Sequence, residues 1–88
     1  MAPVVALLLG AMPAVAEEAP PGASSCFGCH SPTREGATIP SLRGRDPAEV
    51  AAAMRAFRDG TRPATVMDRL ARGFTEAESL AISAWVVR

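Results

Sequence analysis

An all-α domain of three to four short helices is what this 88-residue sequence predicts, and three observations carry the prediction. Asp46-Pro47-Ala48-Glu49 opens a helix that Gly60 can close. Thr75-Glu76-Ala77-Glu78 is a capping box opening a second one. The pentapeptide Cys26-Phe27-Gly28-Cys29-His30 sits on an incipient helical turn, with nothing resembling a strand upstream of it. A chain this short cannot bury a generous apolar core by itself.

The first element precedes the domain. Val4 to Leu9 is a compact apolar run, followed by Gly10, Pro13 and the small-residue pattern Ala14-Val15-Ala16 before Glu17. That pattern predicts a secretory signal peptide over residues 1–16, too short to span a bilayer, although the basic residues that usually begin one are missing. Export is therefore expected in preference to a retained membrane anchor. Residues 17–24, with two acids, two prolines and a glycine, read as a loose leader. The domain proper is expected over residues 25–88, with Ser24 or Ser25 capping a short helix that carries Cys26 to His30.

The pentapeptide itself carries chemistry. Cys-x-x-Cys-His is the attachment pattern of c-type haem. Two thiols three positions apart can add to the two vinyl groups on one porphyrin edge, and the adjacent histidine then lies under the ring as an iron ligand. Zinc and dithiol modules also use Cys-x-x-Cys. Here Cys26 and Cys29 are the only cysteines and His30 the only histidine, so a tetrahedral zinc site would lack a fourth soft ligand. One covalent haem, with thioethers at Cys26 and Cys29 and iron ligation by His30, is the expected cofactor. It would also supply the missing core.

Residues 31–44 read as loop. Ile39-Pro40-Ser41-Leu42-Arg43-Gly44 stands out within it. A ligating histidine donates its second ring N–H to an acceptor that fixes its orientation, and the Pro40 carbonyl suits that role. A plain turn proline fits the spacing equally well. The helix from Asp46 to about Asp59 places Val50, Ala53, Met54 and Phe57 on one face, with Arg55 and Arg58 pointing away.

A low-spin haem needs a sixth ligand, and methionine is the natural candidate. Met1 and Met12 fall within the signal, leaving Met54 and Met67. Met54 lies mid-helix on the apolar stripe. Met67 follows Thr61-Arg62-Pro63, a stretch held non-helical at its start, and is the expected ligand. Asp68 to Arg72 predicts a short helical turn ended by Gly73. The closing helix runs from Glu76 to about Val87, with Ala77, Leu80, Ala81, Ala84 and Trp85 as its buried stripe and Ile82 and Val86 on the shoulder. Phe57 and Trp85 are expected to pack on the haem, Trp85 in the core or at the haem edge.

Nine arginines, no lysine and nine acids leave a net charge of zero, and nothing suggests nucleic acid. From Arg43 to Arg72 seven arginines face four acids, a mildly positive middle that could dock an acidic partner or hold haem propionates, though a solvated helix face explains most of them.

With these pieces assembled, residues 25–87 resemble a class I c-type cytochrome, most similar to the single-haem domains of flavocytochrome c sulfide dehydrogenase and related small periplasmic cytochromes. The carriers are the haem pentapeptide, Ile39-Pro40-Ser41-Leu42-Arg43-Gly44, Phe57-Arg58-Asp59-Gly60-Thr61-Arg62-Pro63 and Thr65-Val66-Met67-Asp68-Arg69-Leu70-Ala71-Arg72-Gly73. The resemblance implies a small class I fold wrapped around one haem, axial ligation by His30 and Met67, and a hydrogen bond from His30 to the Pro40 carbonyl. Where relatives carry Gln and Tyr near the start of the middle helix, this chain has Arg45 and Glu49 and no tyrosine anywhere, so Arg45 or Arg62 would take over propionate contacts. The implied function is a periplasmic electron carrier with no bond-making chemistry of its own. Its partner would be a redox protein, either a sulfide-oxidising flavoprotein or, for a free shuttle, a terminal oxidase or other reductase. A haem-based gas sensor or enzyme, and a non-haem dithiol or metal module, are the readings from other classes.

Overall fold

A computed structural model of the protein describes residues 3–4, 18–33 and 38–88. The expected signal peptide therefore lies almost wholly outside the described residues. Among those residues the secondary structure is entirely helical: a 3₁₀ segment Ala23–Gly28, then α1 (Pro47–Asp59), α2 (Met67–Ala71) and α3 (Glu76–Val86). None is long and apolar enough to cross a membrane.

Helix α1 begins and ends as its sequence dictates. The Asp46 carboxylate accepts from the Ala48 N–H, Pro47 fills the first position where a missing N–H costs nothing, and Gly60 stops the helix at φ 76°. Val50 and Met54 are buried along its inner face. Helix α3 starts at the capping box: Glu78 N–H donates to Thr75 Oγ1 at 3.1 Å and Thr75 N–H donates to Glu78 Oε1 at 2.9 Å. Hydrogen bonding to the carboxyl, from the Thr75 backbone first and its side chain second, holds Glu78 below the usual carboxylate range.

The buried stripe of α3 differs from the expected one. Ser79, Ile82, Ser83 and Val86 face inward, while Ala77, Leu80, Ala81 and Ala84 are exposed. Hydropathy alone favours the alanine face, because serine reads as polar. Inside the helix Ser83 Oγ donates to the Ser79 carbonyl at 2.6 Å, so that hydroxyl is satisfied locally. Each serine is thus a small, buried residue on the inward face of α3.

Ala23, Val50, Ile82 and Val86 form the core, with Ala19, Phe27, Leu42, Phe74 and Trp85 packed against it. Ala19 and Ala23 belong to the stretch read as leader, and Ala23 is fully buried, so packed chain extends back past residue 25. Gly22 makes that possible. Its φ is +83°, and a Cβ there would come within 2.8 Å of Phe74 Cε1, so both conformation and close approach call for glycine. The expected serine cap is absent. Ser24 and Ser25 lie inside the 3₁₀ segment, Gly22 holds the cap position, and Ser25 Oγ donates back to the Gly22 carbonyl at 2.6 Å. Pro20, Pro21 and the left-handed Gly22 keep the 3₁₀ segment from extending back through them.

Two further contacts close the fold. Gly44 N–H donates to the Val87 carbonyl at 2.7 Å, tying the loop before α1 to the end of α3. At the other end Arg55 and Arg58 of α1 both ion-pair with Glu76, in the first turn of α3. They do point away from the apolar face of α1, and they do so toward a common carboxylate. The hydrogen bonds from Arg55 and Arg58 hold the Glu76 carboxyl at a pKa of about 2.

Candidate functional site

The core is small for the chain around it. Its largest fully buried side chains are Val86 and Ser83, and all three phenylalanines and the tryptophan are only partly buried. Beside this core lies a cavity of about 820 Å³, within the ~300–1,000 Å³ typical of ligand and cofactor sites.

One wall of the cavity comes from the 3₁₀ segment and the loop after it. Cys26, Cys29, His30, Ile39, Pro40 and Leu42 all line it. The 3₁₀ turn brings both sulfurs and the imidazole to the same surface, and His30 N–H closes the turn on the Cys26 carbonyl at 2.8 Å. Cys26 is half-buried and Cys29 exposed. Burial pushes the Cys26 thiol up, partly offset by a backbone hydrogen bond. His30 Nδ1 lies 2.7 Å from the Pro40 carbonyl oxygen. A carbonyl can only accept, so Nδ1 carries the hydrogen and Nε2 is left with its lone pair for a metal. Of the two sequence readings of Pro40, this is the acceptor geometry.

The remaining walls come from the helices. Val50, Ala53, Met54 and Phe57 of α1 and Ile82 and Val86 of α3 form one side, and Pro63, Val66, Met67 and Leu70 form another. Met67 is the first residue of α2, preceded by Val66 with no side-chain cap. The helix thus starts one residue earlier than its sequence predicts. Met54 and Met67 both reach the cavity, Met54 buried and Met67 half-buried.

Trp85 is not among the lining residues. Its ring packs on Phe27 of the 3₁₀ segment, centroids 5.0 Å apart and tilted by 38°. The turn of α3 that sends Ile82 and Val86 into the cavity carries Trp85 to the neighbouring side. Phe57 does line the cavity. Sequence reasoning passed over Val66 and Leu70, although their spacing of four residues across Met67 was the available signal.

The arginines of the middle stretch divide into three groups. Arg55 and Arg58 are held by Glu76. Arg45 and Arg62 line the cavity. Arg43, Arg69 and Arg72 are exposed on the surface.

The donor set and the shape fit a haem. Ile39, Val66 and Leu70, three of the large apolar side chains left exposed, all border this cavity, as expected where a flat apolar body is meant to cover them. Among the described residues, no three of His, Cys, Asp or Glu are gathered so as to hold a bare metal ion.

No family model matches the chain. The sequence is similar to the cytochrome subunit of sulfide dehydrogenase from Chlorobaculum tepidum, 40% identical over 55 residues. That match covers 61% of this chain and 50% of the relative, so the chain spans about half the length of the curated protein it matches. The fold is all-α, and the likeness is to a cytochrome subunit.

Proposed function

We propose that the chain is an exported class I c-type cytochrome that carries single electrons on one covalently bound haem. The observation that carries this reading is that Cys26, Cys29 and His30 line one cavity with Met67, with the imidazole already oriented by the Pro40 carbonyl. Haem, when bound, supplies a metal centre that gains and loses one electron with little change in its ligands. Cys26 and Cys29 would anchor it through thioethers, and His30 Nε2 and Met67 Sδ would ligate the iron. The hydrogen bond to Pro40 fixes the tautomer and raises the basicity of His30. A thioether ligand and apolar walls from Val50, Ile82 and Val86 favour the reduced state and exclude water. Exposed Cys29 marks the side that a redox partner would approach most closely.

For the partner, the reading we favour is a flavoprotein that oxidises sulfide, supported by the name of the Chlorobaculum relative. The test has two parts. Protein recovered from the periplasm should show sharp reduced c-type bands and an intact mass one haem above that of the chain from Glu17 onward. Mixed with a sulfide-reduced flavoprotein of that kind, it should be reduced, more slowly as ionic strength rises if the exposed arginines steer docking. A colourless protein with two titratable thiols would overturn the cytochrome reading. Reduction by other donors alone would leave a free shuttle.

A further inference from the structure

Among the described residues, two arginines line the apolar cavity without an ion pair to any carboxylate. Arg45 Nε donates to the Ser41 carbonyl at 3.1 Å, a neutral group of its own loop. The Arg62 guanidinium carbon lies 4.9 Å from the centre of the Phe57 ring, again a neutral partner. Arg55 and Arg58 show the contrast, since both are spent on Glu76. Glu49 also borders the cavity, yet no ion pair joins it to Arg45 or Arg62 among the described residues. A guanidinium has five N–H donors in a rigid fork matched to a carboxylate. The Ser41 carbonyl takes one donor of Arg45, and the Phe57 contact uses the face of Arg62. Among the described residues the forks themselves are left unspent.

We propose that Arg45 and Arg62 together form a carboxylate clamp that receives the two propionates of the haem and sets its orientation in the cavity. This rests on the haem reading above. Any haem brings two anionic propionates, and an apolar cavity accepts them only where cations meet them. The Ser41 carbonyl and the Phe57 ring orient the two guanidiniums in advance, which lowers the ordering cost of binding. Among the described residues, the other titratable groups on the wall besides Glu49 are Cys26, Cys29 and His30, all bonded once haem is attached.

The test uses the haem-bound protein and follows its midpoint potential across pH, where propionate ionisation appears as an inflection. Removing a cation disfavours both the ionised propionate and the reduced iron. Arg45→Gln and Arg62→Gln should therefore each lower the potential and move the inflection to higher pH. The double variant should do both to a greater degree, and Arg45→Lys and Arg62→Lys should restore most of the shift. Arg43→Gln, exposed and outside the cavity, should leave the curve in place. A double variant that melts at lower temperature while its inflection stays put would overturn the clamp and leave these arginines a structural role. Absence of haem in the unsubstituted protein would instead remove the reading on which the clamp rests, so the two failures are distinguishable.

Discussion

The walls of the cavity are built in different ways. The His30 wall is 3₁₀ turn and loop, with short local hydrogen bonds: His30 N–H to Cys26 O, Ser25 Oγ to Gly22 O and His30 Nδ1 to Pro40 O. The helical walls depend on side chains meeting at a distance in sequence, with Val50 and Met54 of α1 beside Ile82 and Val86 of α3 and Met67 presented by an uncapped short helix. The first arrangement places reactive groups with little regular structure. The second supplies the apolar surface. Rigidity of the chemistry therefore comes from short-range bonds, and stability from long-range packing.

Substitutions can separate these contributions. The largest loss of stability is expected at Ile82→Ala, because a side chain only 2% exposed leaves a cavity between α1 and α3. Denaturant unfolding should show a cost of about 2–5 kcal/mol. Gly22→Ala comes next. Left-handed backbone costs about 1–2 kcal/mol for a residue with a Cβ, and contact with Phe74 adds to it. This change strikes the His30 wall, so the environment of Cys26 should shift as well as the melting temperature. Asp46→Ala removes the cap of α1 and should cost about 1 kcal/mol without altering that environment. Pro40→Ala should cost least of these, about 0.4–1 kcal/mol through the freer unfolded loop, because the carbonyl that accepts from His30 is kept.

A smaller effect is expected with pH. Glu76 titrates near 2 in the folded chain and near 4.5 when unfolded. Its folded pKa is depressed, so its contribution is complete above the unfolded value and is lost as pH falls from about 4.5 toward 2. The carboxylate and Arg55 are solvent-exposed, so the loss is slight, and Glu76→Gln should flatten it in acid-unfolding curves.

The same contrast explains what the sequence made legible. Helix α1 could be read to the residue, because Asp46, Pro47 and Gly60 each act on their own backbone. The capping box of α3 was legible for the same reason. The inward face of α3 was not, since Ser79 and Ser83 read as polar yet are buried, with the Ser83 hydroxyl bonded within the helix. Trp85 follows the phase of the helix out of the cavity, packing against the core and onto Phe27. Chemistry-bearing residues were read from spacing, as with Cys26, Cys29 and His30. The apolar rim of Val66 and Leu70 has no signature beyond position and emerged only from the fold.

The central claim is that two separate elements lining the cavity supply one iron ligand each, His30 and Met67. It is tested most directly by comparing oxidised spectra of Met67→Ala and Met54→Ala protein, each with its intact mass. The account predicts covalent haem in both, loss of the weak red iron–methionine band in Met67→Ala, and retention of that band in Met54→Ala. A band that survives in Met67→Ala and vanishes in Met54→Ala would contradict it and move the ligand to helix α1.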